Sequence, residues 1–268
     1  MNRYDKMFAR LNARKEGAFG AFVMLGDPNL ERSAVILDAL AESGADMLEV
    51  GIPFSDPIAD GPVIQAAADR ALKRGVTPAD CFGLLQGFRA RHPEIPAGIL
   101  TYANLVLARG REAFYRSAAE AGVDSILVAD VPMLEAEPFV DTAAAHDIAP
   151  VLIAATNTPG QTLTRISRAG KGYTYCVARA GVTGTETAMQ LNHGALFAAL
   201  KVHGAPPPVL GFGISTPEHV RAALDAGAAG VISGSAVVKL VEADDEALSA
   251  TRRFVREMKA ATGSTPNA

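Results

Sequence analysis

Short apolar segments alternate with amphipathic segments along nearly the whole chain, and this alternation limits the possible fold more than any other feature. A strand followed by a helix is the unit of a parallel sheet, because parallel neighbours are joined by a crossover that is usually helical. Eight strands are predicted, at residues 19–25, 47–50, 97–100, 125–129, 149–153, 173–177, 209–211 and 230–232. Helices are predicted between them, for example at residues 30–43, 111–121, 138–145 and 217–226.

Eight strand–helix units in 268 residues predict an α/β fold, a (β/α)8 TIM barrel with extra short helices. The predicted strands are apolar throughout, as in strands that are buried on both faces. An open, doubly wound sheet is the alternative, and it is less favoured because no Gly-x-Gly-x-x-Gly motif follows the first strand. No linker interrupts the chain, so we expect one domain over residues 1–268, with a frayed tail from about 262 to 268.

A turn of small residues precedes several of the predicted strands. It occupies residues 42–46, 120–124 and 225–229, and each copy has a glycine at its third position. Glycine at a helix C-terminus adopts the left-handed conformation that ends the helix. The recurrence therefore suggests internal repetition of the strand–helix unit.

The composition narrows the class of protein. With 49% hydrophobic and 20% charged residues the chain can bury a large core, and its net charge of −4 without a basic stripe argues against a nucleic-acid partner. No apolar stretch approaches the roughly 20 residues that cross a bilayer, and no signal-peptide core follows Met1, so we expect a cytoplasmic protein with no membrane partner. Cys81 and Cys176 lack metal-ligand spacing and are expected to be reduced thiols.

Two carboxylates are the candidates for chemistry, because catalytic groups of such barrels lie at the C-terminal ends of the strands. Glu49 is an ionisable residue in an apolar strand, and the period of two places it with Met47 on the face toward the barrel interior. Burial there would raise its pKa and suit it to acid/base catalysis. Asp60 follows on a long loop, residues 51–61, where a second carboxylate could take a different role or could simply form a turn.

Glycine-rich segments follow the last two predicted strands. Residues 211–215 follow strand seven, and residues 233–236 follow strand eight and open a short helix at 236–241. Such loops with a short extra helix form the recurrent phosphate site of these barrels, since the helix N-terminus offers unpaired N–H groups. A further segment, residues 179–185, has the glycines and threonines of a lid, although many such segments are only turns.

Metal-dependent, Schiff-base and nucleophile–His–Asp catalysis are disfavoured, because the predicted strand ends lack the residues that they need. The five histidines fall on predicted helices and loops, so no metal site is expected. No lysine ends a strand, as a Schiff-base enzyme would need, and no nucleophile–His–Asp arrangement is visible. The sequence therefore favours a phosphorylated substrate that is handled by carboxylates.

Four segments of the chain closely resemble the tryptophan synthase alpha subunit family. They are residues 25–28, residues 49–62, residues 179–184, and residues 211–215 together with 233–236. Residues 102–104 and 128–132 also match, so the likeness covers nearly the whole chain. The resemblance implies a lyase of tryptophan biosynthesis that cleaves indole-3-glycerol phosphate into indole and glyceraldehyde 3-phosphate.

The resemblance also implies a role for each matching residue. Glu49 would act as acid and base, Asp60 would accept a hydrogen bond from the indole N–H, and Tyr175 would line the site near Glu49. Thr183 would close onto Asp60 when the lid shuts. The apolar indole pocket would consist of Phe22, Leu100, Leu127 and Phe212, and the phosphate site of Gly184, Gly213, Gly234 and Ser235.

A partner is implied as well. The family pairs with a beta subunit that carries pyridoxal phosphate and receives indole through a tunnel, so an alpha2-beta2 heterotetramer is expected, with no cofactor in this chain. The residues that match the partner face are Pro53, Phe54, Asp56 and Asn104. The chain departs from the family pattern at Ala21, Met24 and residues 154–157, which puts partner coupling and loop packing in question.

Three alternatives stay open at this point. The chain could be a stand-alone indole-releasing lyase, although the intact loop 51–61 favours a partner. It could be a regulatory subunit without catalysis, but it retains both Glu49 and Asp60. It could be another barrel enzyme of sugar phosphates, such as an isomerase, for which the histidine or lysine at a strand end is missing.

Overall fold

Parallel strand pairing organises the chain. A computed structural model describes residues 2–177 and 193–263. Within these residues nine strands form one sheet in the order β5-β4-β3-β2-β1-β9-β8-β7-β6. The strands are β1 Ala18–Met24, β2 Met47–Gly51, β3 Ala97–Thr101, β4 Ser125–Val128, β5 Ala149–Pro150, β6 Leu152–Ala155, β7 Thr174–Val177, β8 Pro208–Leu210 and β9 Gly230–Ser233.

The first and last strands of this order belong to one segment of chain. β5 pairs with β4 and β6 pairs with β7, and only Val151 separates the two halves. The sheet therefore closes into a barrel, and the eight predicted strands are confirmed, the fifth being divided. Pro150, which has no N–H to donate to a ladder, lies at the division.

Helices cover the barrel, and the predicted ones are found within about two residues of their expected ends. Among the described residues they are α1 Arg3–Ala13, α2 Leu30–Glu42, α3 Pro62–Lys73, α4 Pro78–Arg91, α5 Ala103–Leu107, α6 Arg111–Glu120, α7 Glu137–Ala145, α8 Gly160–Ala169, α9 Gly194–Val202, α10 Pro217–Asp225, α11 Ser235–Ala243 and α12 Ser249–Ala260. None of these helices combines the length and the apolar character that a bilayer crossing requires.

Two hydrophobic cores lie on opposite sides of the sheet. Leu48 and Val50 of β2 belong to the outer core, between strands and helices, whereas Met47 belongs to the inner core. This confirms the predicted facing of β2, because alternate side chains of a strand point to opposite faces. Helix α1 also contributes to the inner core, through Tyr4, Met7, Phe8 and Leu11. The N-terminal helix thus helps to fill the barrel.

The repeated turns are hydrogen-bonded to the start of a neighbouring strand. The N–H of Asp46 donates to the Phe19 carbonyl (2.8 Å), and the Asp46 carboxylate accepts from the Phe19 N–H (2.9 Å). Asp124 makes the same pair of bonds with Ala97, both at 2.8 Å. The third copy has Ala229 at this position and keeps only the backbone bond. The predicted repetition is therefore a shared bonding pattern at the N-terminal end of the barrel.

Residues 262 and 263, at the start of the predicted tail, are held in the fold. Thr262 is buried, its carbonyl accepts the Gly17 N–H at 2.9 Å, and Gly263 forms an antiparallel bridge with Glu16. These contacts hold residues 262 and 263 against the entry to β1, so the expected fraying does not apply to them. Residues 264–268 lie outside the described part of the chain.

The Asp124 carboxylate, which accepts from two arginines and one backbone N–H, offers a test of the packing at this end of the barrel. Arg89 and Arg3 donate to it at 2.6 and 2.9 Å, and its side chain is 6% exposed. Asp124→Ala should lower the free energy of unfolding by about 2–4 kcal/mol, because it leaves the buried Ala97 N–H without its acceptor and removes the ion pairs with Arg89 and Arg3. Chemical denaturation measures this change.

The matched control is Glu42→Ala, which removes the 54%-exposed carboxylate of a surface pair with Arg252. That variant should lose less than about 1 kcal/mol. Equal losses for the two variants would show that the Asp124 network does not hold the N-terminal end of the barrel together.

Candidate active site

The Glu49 side chain lies inside the barrel, on β2. It is 2% exposed, and the hydroxyl of Tyr173, the residue before β7, donates a hydrogen bond to its Oε1 at 2.9 Å. Around the closed sheet, β2 and β7 are four strands apart in either direction. The two residues therefore lie on opposite sides of the barrel. The bond therefore spans the barrel interior, and it holds one carboxyl oxygen of Glu49.

Burial changes the protonation of Glu49. Loss of water raises the pKa of this carboxyl to about 8; the Tyr173 hydrogen bond lowers it, and the nearby Asp60 raises it. The carboxyl is therefore mostly protonated at neutral pH. A buried group that can hold and release a proton near pH 8 is suited to acid/base chemistry.

Asp60 is the second buried carboxylate, 7% exposed, immediately before α3. The backbone N–H of Asp60 donates to the Pro57 carbonyl (3.1 Å). The backbone carbonyl of Asp60 accepts from the side-chain amide of Gln65 (2.7 Å). Burial raises the pKa of the Asp60 carboxyl to about 6, against a hydrogen bond from the Tyr102 hydroxyl that lowers it. Near pH 7 Asp60 is thus mainly ionised while Glu49 is mainly protonated, so their environments separate the two carboxylates.

Tyr175 lines the same interior, but its hydroxyl does not go to Glu49. It donates to the Gly211 carbonyl at 3.1 Å, and its ring packs edge-on against Phe212 at 6.2 Å. A side chain at Gly211 would collide with this ring, since an added Cβ would lie 2.0 Å from its Cζ. Tyr175 therefore joins β7 to the loop after β8, and it interacts electrostatically with Glu49.

Tyr173 and Tyr102, which bind the two carboxylates, were not among the sequence candidates. Tyr173 precedes Tyr175 by two residues, so the period of two already places both tyrosines on the interior face. Tyr102 lies between β3 and α5 and belongs to a segment that carries the family resemblance. The signals existed, but neither identifies a carboxylate partner.

The residues predicted for an apolar pocket come together. Phe22 and Leu127 are buried in the inner core, and Leu100 and Phe212 pack against that core with partial exposure. They come from β1, β3, β4 and the loop after β8.

The predicted phosphate loops are also joined. The Ser233 hydroxyl at the end of β9 donates to the Ile214 carbonyl at 2.7 Å, which links the two glycine-rich segments. Gly213 has a φ of +75°, a left-handed conformation that favours glycine. Gly234 caps α11, which begins at Ser235, so backbone N–H groups rather than a side chain are offered at this helix start.

The remaining candidates are two buried thiols and residues outside the described part of the chain. Burial raises the pKa of both Cys81 and Cys176 to about 12, which makes them poor nucleophiles. No cluster of three or more potential metal ligands occurs within residues 2–177 and 193–263. Thr183 and Gly184, with the rest of the predicted lid, lie outside the described residues.

Comparison with known proteins decides the family. A family model for the tryptophan synthase alpha chain matches residues 8–263. The tryptophan synthase alpha chain of Escherichia coli is 54% identical over 270 aligned residues, which cover 98% of this chain and 100% of that protein. The chain belongs to the tryptophan synthase alpha chain family.

Solved structures of the family share the fold. The tryptophan synthase alpha chain from Legionella pneumophila superposes with a TM-score of 0.87 at 31% identity, covering 98% of this chain and 97% of that one. Mycobacterium tuberculosis tryptophan synthase gives 0.89 at 28% identity, with 98% and 99% covered. The TIM barrel and the family resemblance predicted from the sequence are confirmed, and the chain is a lyase subunit that cleaves indole-3-glycerol phosphate in tryptophan biosynthesis.

The residues that match the partner face of this family differ in exposure. Asp56 and Asn104 are exposed, Phe54 is half-buried, and Pro53 is buried. The Phe54 ring stacks on Tyr102 at 5.3 Å, so it is fixed to the tyrosine that binds Asp60. The loop between Glu49 and Asp60 thus exposes Asp56 to solvent, while Phe54 packs against Tyr102.

The departures from the family pattern fall in different layers. Ala21 is buried in the outer core, so it faces the helices rather than the barrel interior. Met24 faces the interior, where its methyl group lies 2.8 Å from the place a Cβ would take on Gly51. Ala154 and Ala155 divide between the outer and the inner core. These substitutions therefore affect helix packing as well as the site.

The raised pKa of Glu49 predicts how stability depends on pH. Its pKa in the folded state is about 8, against 4.5 for the ordinary group, so its contribution to stability is fully present below pH 4.5 and is lost as the pH rises to about 8. Glu49→Gln has no proton to lose. The difference in unfolding free energy, variant minus wild type, should therefore increase by about 4 kcal/mol between pH 4.5 and 8.

Thermal unfolding at a series of pH values measures this difference. The value near pH 4.5 is the internal control, since both side chains are then neutral and only packing and hydrogen bonding differ. A difference that stays constant up to pH 8 would mean that Glu49 is ionised in the folded protein at neutral pH.

Proposed function

We propose that Glu49 is both the acid and the base of the cleavage reaction and that Asp60 stabilises the charge on the indole ring. The observation that carries this proposal is the Glu49 carboxyl, buried inside the barrel beside the apolar cluster and protonated near neutral pH. Asp60, with the lower pKa, supplies the carboxylate. The two groups are thereby in the protonation states that the chemistry needs.

The first step is protonation of the ring. The bond to be broken joins the indole ring to the glycerol chain, and the ring can accept its electrons only after the ring carbon of that bond is protonated. Glu49 gives this proton from its carboxyl group and becomes a carboxylate. The positive charge that develops on the ring nitrogen is stabilised by Asp60, which accepts the hydrogen bond of the indole N–H.

The second step returns the proton to Glu49. Its carboxylate takes the proton from the glycerol hydroxyl next to the reacting bond, and the hydroxyl oxygen becomes the aldehyde oxygen of glyceraldehyde 3-phosphate. The electrons of the broken carbon–carbon bond restore the aromatic indole ring. Glu49 ends as it began, protonated, so one residue serves both transfers.

The substrate is held at its two ends. The indole ring packs among Phe22, Leu100, Leu127 and Phe212, which are brought together in the inner core. The phosphate binds to backbone N–H groups around Gly213, Gly234 and Ser235 at the start of α11. Tyr175 fixes the loop that carries Phe212. The roles of Thr183 as a closing residue and of Gly184 at the phosphate stay predictions.

The chain acts, in this proposal, as one domain with a beta subunit as its partner. An exposed Ile58 (71%) lies beside Asp56 on the loop that follows Glu49, and an exposed Leu107 (50%) follows Asn104, which gives this face apolar groups to bury. The complex is an alpha2-beta2 heterotetramer in the cytoplasm. Pyridoxal phosphate belongs to the beta subunit, and this chain needs no cofactor for the two proton transfers.

The proposal predicts a bell-shaped dependence of kcat/KM on pH for indole release, because this ratio reports the ionisation of the free enzyme. Activity should fall below about pH 6, where Asp60 takes up a proton, and above about pH 8, where Glu49 loses one. Glu49→Gln should lower kcat by about 10³-fold or more with KM little changed, because the carboxyl transfers protons and adds little affinity. Asp60→Asn should cost about 10²-fold. Indole release from indole-3-glycerol phosphate measures all three.

A remote surface variant, Glu42→Gln, makes the same chemical change at a 54%-exposed side chain and should keep wild-type activity. If Glu49→Gln kept more than about a tenth of the wild-type kcat, Glu49 would not be the proton-transferring group.

A further inference from the structure

The N-terminal helix sends one tyrosine into the barrel beneath the site. Tyr4 of α1 is 1% exposed, and its hydroxyl shares a hydrogen bond with the Ser125 hydroxyl at the start of β4 (2.8 Å). Its ring lies against the Tyr173 ring, with centroids 5.3 Å apart and planes tilted by 58°. Tyr4 is therefore in direct contact with the residue whose hydroxyl binds Glu49.

The barrel wall makes room for this ring at two glycines. A Cβ on Gly98 of β3 would lie 2.8 Å from the Tyr4 hydroxyl oxygen, and one on Gly172 would lie 3.1 Å from the ring. Contacts this short would displace the tyrosine. A hydrogen bond, a ring contact and two glycines thus fix Tyr4 in a single position.

We infer that Tyr4 is a positioning residue for the cleavage reaction, which holds the Tyr173 ring so that its hydroxyl stays on Oε1 of Glu49. The inference rests on the proposed role of Glu49. A tyrosine ring that is packed on one face keeps its hydroxyl direction, whereas a ring with a cavity beside it can shift or tilt. The N-terminal helix would in this way act on the catalytic carboxyl through one intermediate side chain.

The direction of the Tyr173 hydroxyl matters because Glu49 has two oxygens. While Oε1 accepts the hydrogen bond, the proton of the carboxylic acid resides on Oε2, the oxygen left for the substrate. If Tyr173 were displaced, the Glu49 proton could occupy either carboxyl oxygen. A smaller fraction of enzyme molecules would then hold this proton toward the indole ring of the substrate. The expected consequence is a lower kcat with little change in KM.

The titratable groups around Glu49 define the pH readout. Four groups interact with it electrostatically: Tyr173 just before β7, Tyr175 of β7, Asp60 from the loop before α3, and Tyr4 from α1. Burial raises the pKa of each of the three tyrosines far above neutrality, so they remain neutral. Because the Tyr173 hydrogen bond lowers the pKa of Glu49, its loss moves the alkaline limb of the activity profile to higher pH.

The first test compares two leucine substitutions in α1. Tyr4→Leu removes the ring that touches Tyr173, and Phe8→Leu removes another ring of the same helix and the same inner core. Both should lower Tm. Only Tyr4→Leu should lower kcat, by about 3- to 10-fold at unchanged KM, and move the alkaline limb upward by about half a pH unit. Equal effects of both variants on kcat and on the pH profile would overturn the inference.

The second test is a double-mutant cycle with Tyr173→Phe, which removes the hydroxyl and keeps the ring. If Tyr4 acts through that hydroxyl, Tyr4→Leu should change kcat less than twofold in the Tyr173→Phe background. A full 3- to 10-fold loss in that background would show that Tyr4 acts by another route, and would overturn the inference.

Milder variants keep the test decisive if Tyr4→Leu does not fold. Tyr4→Phe and Ser125→Ala each remove the hydrogen bond between these two residues and leave the rings in place. Both should move the alkaline limb in the same direction as Tyr173→Phe, by a smaller amount; an unmoved limb in both contradicts the inference. Glu49→Gln is assayed in parallel to distinguish the role of Glu49 from the role of Tyr4. High activity of that variant would contradict the catalytic role of Glu49 itself.

Discussion

The burial of the Glu49 carboxyl is the constraint on which the rest of the site depends. An isolated carboxylate in an apolar interior is costly, so the group keeps its proton and its pKa rises. One hydroxyl, that of Tyr173, partly offsets this effect and leaves the pKa near 8, within reach of neutral pH. A fully ion-paired Glu49 would stay ionised and could not donate, whereas one without any polar partner would hold its proton too firmly to exchange it.

The barrel separates stability from chemistry along its axis. At the N-terminal end, Asp46 and Asp124 bond to the starts of neighbouring strands and to basic side chains, and α1 packs into the opening. At the C-terminal end lie Asp60, the glycine loops and the start of α11. This matches the general division of such barrels between a stabilising and a catalytic face. Tyr4 lies at the stabilising end and yet contacts Tyr173, so the division is not complete.

Local patterns in the sequence predicted much of this arrangement. The strands and helices follow from hydrophobic periodicity, and the inward facing of Glu49 follows from the period of two within β2. The repeated turns were visible as residue patterns, although only the structure shows that Asp46 and Asp124 accept strand N–H groups.

Contacts between distant parts of the chain were not predictable in this way. Tyr173 and Glu49 are 124 residues apart, and no local pattern pairs them. The contact between Thr262 and Gly17, which lie near opposite ends of the chain, was not predictable for the same reason. The division of the fifth strand depends on which neighbours its two halves meet around the closed sheet. The family resemblance supplied roles for residues, but it did not supply these bonds.

The protonation state of Glu49 in the folded enzyme tests this mechanism most directly. Carbon-13 NMR of protein labelled at glutamate carboxyl carbons can follow it, with the Glu49 signal assigned by its absence from Glu49→Gln. We expect this signal to report a protonated carboxyl at pH 7 and to titrate near pH 8. A signal that titrates near the ordinary value of 4.5, and shows a carboxylate at pH 7, would contradict the proposal that Glu49 begins the reaction as the acid.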